Sequence, residues 1–156
     1  MMKTTPEKAP PSTNYLTAAP GAFRAMVGLE SYIKGCGIEP ALTELIKLRV
    51  SQMNGCAYCI DHHAKKLLAA GETNQRLYLL DAWRDTDCYS DREQAALAWT
   101  EAVTRISAAQ IDAELRAKVR SYFTEKELVD LTLIVIAING WNRLNISFQI
   151  PADFQF

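Results

Sequence analysis

The chain has little of what would commit it to a membrane, a nucleic acid or a disulfide scaffold. Its longest apolar run, Leu131 to Ile138 broken only by Thr132, is far short of the roughly 20 residues that a bilayer-spanning helix needs. The opening MMKTTPEKAPPSTNY lacks the apolar core of a signal peptide, so no targeting segment is expected there. Basic and acidic residues number 17 and 18, a net charge of −1. With neither sign in excess, no nucleic acid and no membrane surface is expected as a partner. No segment alternates polar and apolar residues between turn signals, so no strand is expected. Histidine is scarce, with only His62 and His63. Cysteine is sparse too, and Cys36, Cys56, Cys59 and Cys88 are too few for a disulfide scaffold. Used sparingly beside histidine, they read as an intracellular redox or metal site, and the expected location is cytoplasmic.

What is present is the make-up of an ordinary globular domain, 49% hydrophobic and 22% charged. At 156 residues the chain can bury one core and is too short to expect two. Proline and threonine crowd residues 1–19, which read as an extended N-terminal arm, and a helical domain is expected over 20–156. Its architecture is expected to be all-α, a bundle of about six to seven helices. A first helix starts at Pro20 and stops at Gly35 or Gly37. Pro40 suits the first turn of a second, which carries Leu42, Leu45, Ile46, Val50 and Met53 and ends at Asn54-Gly55. A third runs from the next cysteine to Ala70, and a fourth from about Asn74 to Trp83. Ser90-Asp91-Arg92-Glu93 is a capping box for a fifth. A short sixth covers about Asp112 to Phe123. Thr124-Glu125-Lys126-Glu127 is a second capping box, and its helix is apolar nearly all round from Leu128 to Ile138, so it is expected to be the buried central one.

The chemistry concentrates in Cys56-Ala57-Tyr58-Cys59 with His63 four residues on. A C-x-x-C pair can close a disulfide over a very short loop, and an imidazole one turn beyond can take or give the thiol proton. On a helix Cys56, Cys59 and His63 fall at i, i+3 and i+7, a single face. Two sulfurs and a base on one face make a redox site or part of a metal site. Zinc wants four ligands, which His62, Cys36 or Cys88 could help complete, although neither lone cysteine has the paired spacing of zinc sites. A c-type haem is excluded because Ile60, not histidine, follows the second cysteine. His62 lies about 100° around the helix from His63 and reads as a surface residue.

The stretch Glu44 to Ala64, with Glu44 twelve residues before Cys56 and His63 four after Cys59, resembles the core motif of the alkylhydroperoxidase D (AhpD-like) family of the carboxymuconolactone decarboxylase-like superfamily. Residues 68–73 and 138–145 are similar to family members as well, so the likeness spans roughly residues 20–150. One position departs from the best-known peroxidases of the family, which carry a second histidine where this chain has Tyr58. The resemblance implies a peroxidase in which Cys59 is oxidised to sulfenic acid and Cys56 resolves it, with Glu44 and His63 as proton relay. It implies a peroxide substrate, a lipoyl or thioredoxin-like dithiol as reductant, no metal or organic cofactor, and a homo-oligomer, a trimer or hexamer. A zinc-binding or non-catalytic redox-relay module, or a decarboxylase-type member of the superfamily, is the alternative.

The residues themselves are less unanimous. A helix N-terminus favours the thiolate of Cys56, which is expected in the first turn, whereas His63 favours Cys59. On the helical wheel Glu44 falls away from the apolar stripe and is expected to face solvent. If that side of the helix meets the cysteine helix, Glu44 is expected in a partly buried spot with a raised carboxyl pKa suited to proton transfer. Arg49 falls within that stripe and reads as a partner for a buried carboxylate or a subunit contact. Tyr58 could line the approach to the thiols. Cys36 and Cys88 read as small core or loop residues, and Trp83, Trp99 and Trp141 as core or interface.

Overall fold

A computed structural model of the chain describes residues 13–108 and 110–154. Among these residues there is helix and no strand, the all-α bundle expected. The order is α1 (Tyr15–Ala18), α2 (Pro20–Lys34), α3 (Pro40–Asn54), α4 (Ala57–Ala69), α5 (Asn74–Leu79), a 3₁₀ segment (Leu80–Asp85), α6 (Asp91–Thr104), α7 (Ala113–Arg120) and α8 (Glu125–Ser147). Both expected capping boxes form: Ser90 and Glu93 close one at α6, Thr124 and Glu127 the other at α8. Each satisfies two backbone donors that the first turn of a helix otherwise leaves unpaired.

Three elements differ from the sequence reading. The arm expected over residues 1–19 lies outside the described residues as far as residue 12, and beyond that it is not extended. The Asn14 side chain accepts from the Leu16 N–H and caps a single helical turn whose Tyr15 is buried. The helix expected from Asn74 to Trp83 is α-helical only to Leu79 and tightens into the 3₁₀ segment, with non-helical angles at Ala82. That segment carries Trp83 into the core, where its Nε1 donates to Glu101.

The third difference concerns which helix is central. α8 does bury Leu131, Ile134, Val135 and Ile138, but Val129 and Ile136 are 59% and 51% exposed. α3 is the helix enclosed on nearly every side, buried from Leu45 to Ser51 without a break. It packs against α4, α6 and α8 and stands between two apolar clusters. Leu42, Ile46 and Val50 belong to the larger one, and Leu45 and Leu48 to the one built around Leu80, Trp83 and Leu97. Each such fully buried side chain contributes about 1.5–3 kcal/mol relative to exposure. α3 hides this in its sequence because between Leu45 and Ser51 its other buried positions are polar, Lys47, Arg49 and Ser51. They are tolerated inside because each has a partner: Lys47 with Glu30, Arg49 with Glu101, Ser51 with the Lys47 carbonyl.

Candidate active site

The cysteine motif is placed by the junction of α3 and α4. Gly55 ends α3 in the left-handed region at φ 71°, a conformation that costs glycine no Cβ clash. The chain then turns at once into Cys56, which is the N-cap of α4 and not part of its first turn as expected. Its extended backbone aims Sγ back over the helix start, 3.4 Å from the Cys59 N–H. Cys56 and Cys59 are joined as a disulfide with Cα atoms 5.3 Å apart. Cys36 and Cys88 are free, one buried in the main core and the other taking the Thr86 hydroxyl on its sulfur.

One turn further along α4, His63 is buried, and its Nδ1 lies 2.6 Å from Glu44 Oε2 on α3. Glu44 is therefore not the solvent-facing residue that the wheel suggests. Because α3 is packed on both flanks, the face away from its apolar stripe meets α4, and the Glu44 side chain keeps only 20% of its exposure. Lys66 Nζ sits 3.3 Å from the other carboxylate oxygen. Burial works to raise the Glu44 carboxyl. The His63 hydrogen bond and the charges of His63, Lys66 and Lys47 outweigh it and hold the group down to about 2, the reverse of the raised value expected for a partly buried Glu44. Burial pulls His63 below the ordinary imidazole value against the opposing pull of Glu44. Near neutral pH the pair is thus a carboxylate and a neutral imidazole whose Nδ1–H donates to it. That leaves Nε2 with a lone pair, the tautomer of a proton acceptor.

Cys59 and His63 both line a cavity of about 520 Å³ between α2, α3, α4 and α8. Its walls are largely apolar, with Phe23, Val27, Trp141 and Tyr58 among the lining residues. Tyr58 stacks on His62 with ring centroids 5.7 Å apart, and His62 sits edge-on to His63 at 5.1 Å. His62 is exposed yet belongs to the same wall. Cys56 does not line the cavity, so of the two sulfurs Cys59 is the one open to a molecule within it. Among the described residues, no three or more His, Cys, Asp or Glu side chains gather as a group able to hold a metal ion.

Four polar contacts at the site had no signal strong enough to assign them from sequence. Lys47, buried on α3, lies 2.5 Å from Glu30, and Trp141 Nε1 donates to the same carboxylate at 3.0 Å. Asn145 Nδ2 donates to Cys59 Sγ at 3.3 Å. The Tyr15 hydroxyl donates to Asn145 Oδ1 at 2.8 Å. The available clue was Asn139, Asn142 and Asn145 at three-residue intervals in an otherwise apolar helix, since buried amides need partners. Arg49 meets the expectation of a buried carboxylate, with Nε 2.8 Å from Glu101 Oε1. Trp83 and Trp99 are core residues, and Trp141 is a partly buried wall of the cavity.

Residues 20–102 match the model of the carboxymuconolactone decarboxylase family. The chain is an AhpD-like member of that family. It is 45% identical over 134 residues to the uncharacterized protein YdfG of Bacillus subtilis, covering 86% of this chain and 91% of that one. A solved protein of unknown function from Agrobacterium tumefaciens, provisionally assigned to antioxidant defence as AhpD, superposes with a TM-score of 0.88 at 36% identity. That match covers 93% of this chain and 99% of the other. A short stretch of 35 residues is 57% identical to the alkyl hydroperoxide reductase AhpD of Rhodopseudomonas palustris, covering 22% of this chain and 19% of that protein. No helix among the described residues is long and apolar enough to cross a membrane.

Proposed function

We propose that the protein is a thiol-dependent peroxidase, a disulfide oxidoreductase that reduces alkyl hydroperoxides through its C-x-x-C pair. The observation that carries this reading is the placement of Cys59 in a cavity whose wall also holds the Glu44–His63 pair, with Cys56 bonded behind it. In the reduced protein His63 takes up the Cys59 thiol proton through a water, and the thiolate attacks the distal peroxide oxygen. A sulfur–oxygen bond forms, the O–O bond breaks, and the departing alkoxide takes the proton back from His63. Glu44 holds the imidazole in orientation and stabilises its charged form. Cys56 then attacks the Cys59 sulfenic acid. The S–S bond forms and hydroxide leaves as water, which returns the disulfide of the structure.

An external dithiol resets the cycle: its thiolate attacks the disulfide and ends as a disulfide itself while both cysteines regain protons. A lipoyl or thioredoxin-like donor fits this step, and no metal or organic cofactor enters it. The same residues can serve a relay that passes oxidation to another protein. The apolar Val129 and Ile136 left open on α8 support a homo-oligomer, a trimer or hexamer by family likeness, and sparse cysteine use supports a cytoplasmic location.

The test is consumption of an alkyl hydroperoxide and of hydrogen peroxide by the full chain with lipoyl, thioredoxin-like and glutathione reducing systems in turn. The expected result is sustained turnover with a dithiol donor and little with glutathione. Failure of every donor to support turnover, although the Cys56–Cys59 disulfide is reduced in the same tubes, would overturn the peroxidase reading.

A further inference from the structure

We propose that Tyr15 and Asn145 form a buried hydrogen-bond chain that holds an N–H donor on the Cys59 sulfur and stabilises its thiolate in the reduced protein. Its catalytic consequence rests on the thiol chemistry proposed above, but the chain of hydrogen bonds and its effect on the sulfur do not.

Three segments far apart in sequence meet here. Tyr15 comes from α1, Asn145 from the last turns of α8 and Cys59 from the first turn of α4. Tyr15, Asn145 and Cys59 are 6%, 4% and 2% exposed, and Asn145 lines the same cavity as Cys59. An asparagine side chain has two unlike ends, and which end faces the sulfur decides its effect. Burial, with the neighbouring Tyr58, pushes the Tyr15 phenol up to about 12, so it is protonated at any working pH and needs an acceptor. Asn145 Oδ1, 2.8 Å away, is that acceptor. The Nδ2–H₂ end is then left facing Cys59 Sγ at 3.3 Å. A turned amide would set its own oxygen against the sulfur and lose the phenol's hydrogen bond as well. Tyr15 is thus a positioning residue, and Asn145 is the residue that touches the reacting atom.

The neighbouring asparagines show that the arrangement is not generic packing of buried amides. Asn142, nearly one turn earlier on α8, is satisfied by oxygen and nitrogen partners: it donates to Ser51 Oγ and accepts from Asn54 Nδ2. Asn145 instead spends its amide hydrogens on sulfur. A disulfide sulfur is a weak acceptor, whereas a thiolate takes a charge-assisted hydrogen bond roughly twice as strong as a neutral one. The donor therefore gains most when Cys59 is reduced and ionised, the form that attacks. It also answers the competition between the two sulfurs. Cys56 has the Cys59 backbone N–H at the helix start, and Cys59 has the amide of Asn145.

The experiment follows iodoacetamide alkylation of Cys59 against pH in the fully reduced full chain, read by mass mapping of the Cys59 peptide. No peroxide or reductant cycle is involved, so failure of the peroxidase reading leaves this measurement standing. Asn145→Ala should move the midpoint for Cys59 upward by about one pH unit or more, the scale of a hydrogen bond to a charged group. Tyr15→Phe, which removes one oxygen and keeps the ring, should move it upward by less, because the amide survives but loses its anchor. Asn142→Ala is the structural control and should lower the melting temperature without moving the midpoint. An unmoved midpoint in Asn145→Ala, or an equal shift in Asn142→Ala, would overturn the proposal. If Asn145→Ala does not fold, Tyr15→Phe decides it by the same reading.

Discussion

α3 takes part in a buried carboxylate pair on each of two faces, one with a guanidinium and one with an imidazole, and the two pairs are built to opposite ends. On one face Arg49 meets Glu101, which also receives Trp83 Nε1 at 2.9 Å and Arg84 at 2.6 Å. Arg49 in turn bonds Asp81. The Glu101 carboxyl is pulled below its usual range: burial opposes ionisation, and the Trp83, Arg84 and Arg49 hydrogen bonds overcome it. Every partner is an indole N–H or a guanidinium that keeps its protons at any physiological pH, and none of these residues lines the cavity at Cys59. On the other face Glu44 holds His63, the one partner of the two pairs that can lose and regain a proton near neutrality, and that pair opens on the cavity beside Cys59. A buried carboxylate pair becomes a chemical device when its partner is titratable and one of that partner's atoms faces space. Closed and saturated, the same pair only fixes helices.

The sharpest way to break this comparison is to remove chemistry from the open face alone. Cys59→Ser should abolish the single-turnover reaction with peroxide, while Cys56→Ser should still react once and accumulate a trappable sulfenic acid on Cys59. Accumulation on Cys56 in the Cys59→Ser protein would reverse their roles. His63→Gln and Glu44→Gln should each slow turnover by a sizeable part of the on the order of 10²–10⁴ that acid–base help contributes, with the fold intact by circular dichroism. A fully active Glu44→Gln would leave Glu44 a polar neighbour and nothing more.

The second prediction strikes the closed face. Arg49→Met leaves the Glu101 carboxylate buried with Arg84, itself 60% exposed, as its remaining cation. Loss of one partner from such a pair costs about 3–5 kcal/mol, and the surviving Arg84 and Trp83 contacts put this variant near the lower figure. Urea unfolding should show that loss, and the rate of Cys59 with peroxide should be unchanged in the folded fraction. A large fall in that rate with stability intact would mean that the two faces of α3 are coupled and the contrast drawn here is false.

The uneven legibility of the chain follows from what each residue's signal depended on. Helix ends set by local chemistry were readable, as Pro40, Gly55 and the capping boxes at Ser90 and Thr124 show, because their hydrogen bonds close within a few residues. The cysteine pair and His63 were readable for the same reason, lying within two turns of one helix. Glu44 was misread by periodicity, since the wheel records which residues are apolar and not which polar faces are enclosed. Its pairing with His63 depends on α3 being packed on both sides, a tertiary fact. Asn145 and Tyr15 needed three segments to converge, the tyrosine and the asparagine standing 130 positions apart. α8 looked central because apolar side chains mark a surface that is to be covered, and Val129 and Ile136 are apolar without being covered by the described residues.

The smallest expected effect, and the most selective, is the dependence of stability on acid. Burial sets His63 below 6.5 in the folded protein, and His62 is lowered too, by burial first and then by His63. For a base lowered on folding, the unfolded chain takes up the proton first. Stability is therefore full above about pH 6.5 and declines as pH falls below it, while Glu44 opposes the decline and Lys47 and Lys66 reinforce it. The closed face contributes little in this range, because Glu101, held below its ordinary carboxyl value, gives up its stabilisation only at lower pH. Below pH 4.5 the order changes. Glu44, held down to about 2, and Glu101 each confer stability that disappears as pH falls toward their folded values. For Glu44 the loss is about 2 kcal/mol at most once solvent screening is allowed for. Urea midpoints taken between pH 7.5 and 5 should slope downward in the wild type and flatten when both histidines are glutamine. Arg49→Met should run parallel to the wild type at a lower level. An undiminished slope without the histidines would place the acid sensitivity elsewhere and remove the electrostatic distinction between the open pair and the closed one.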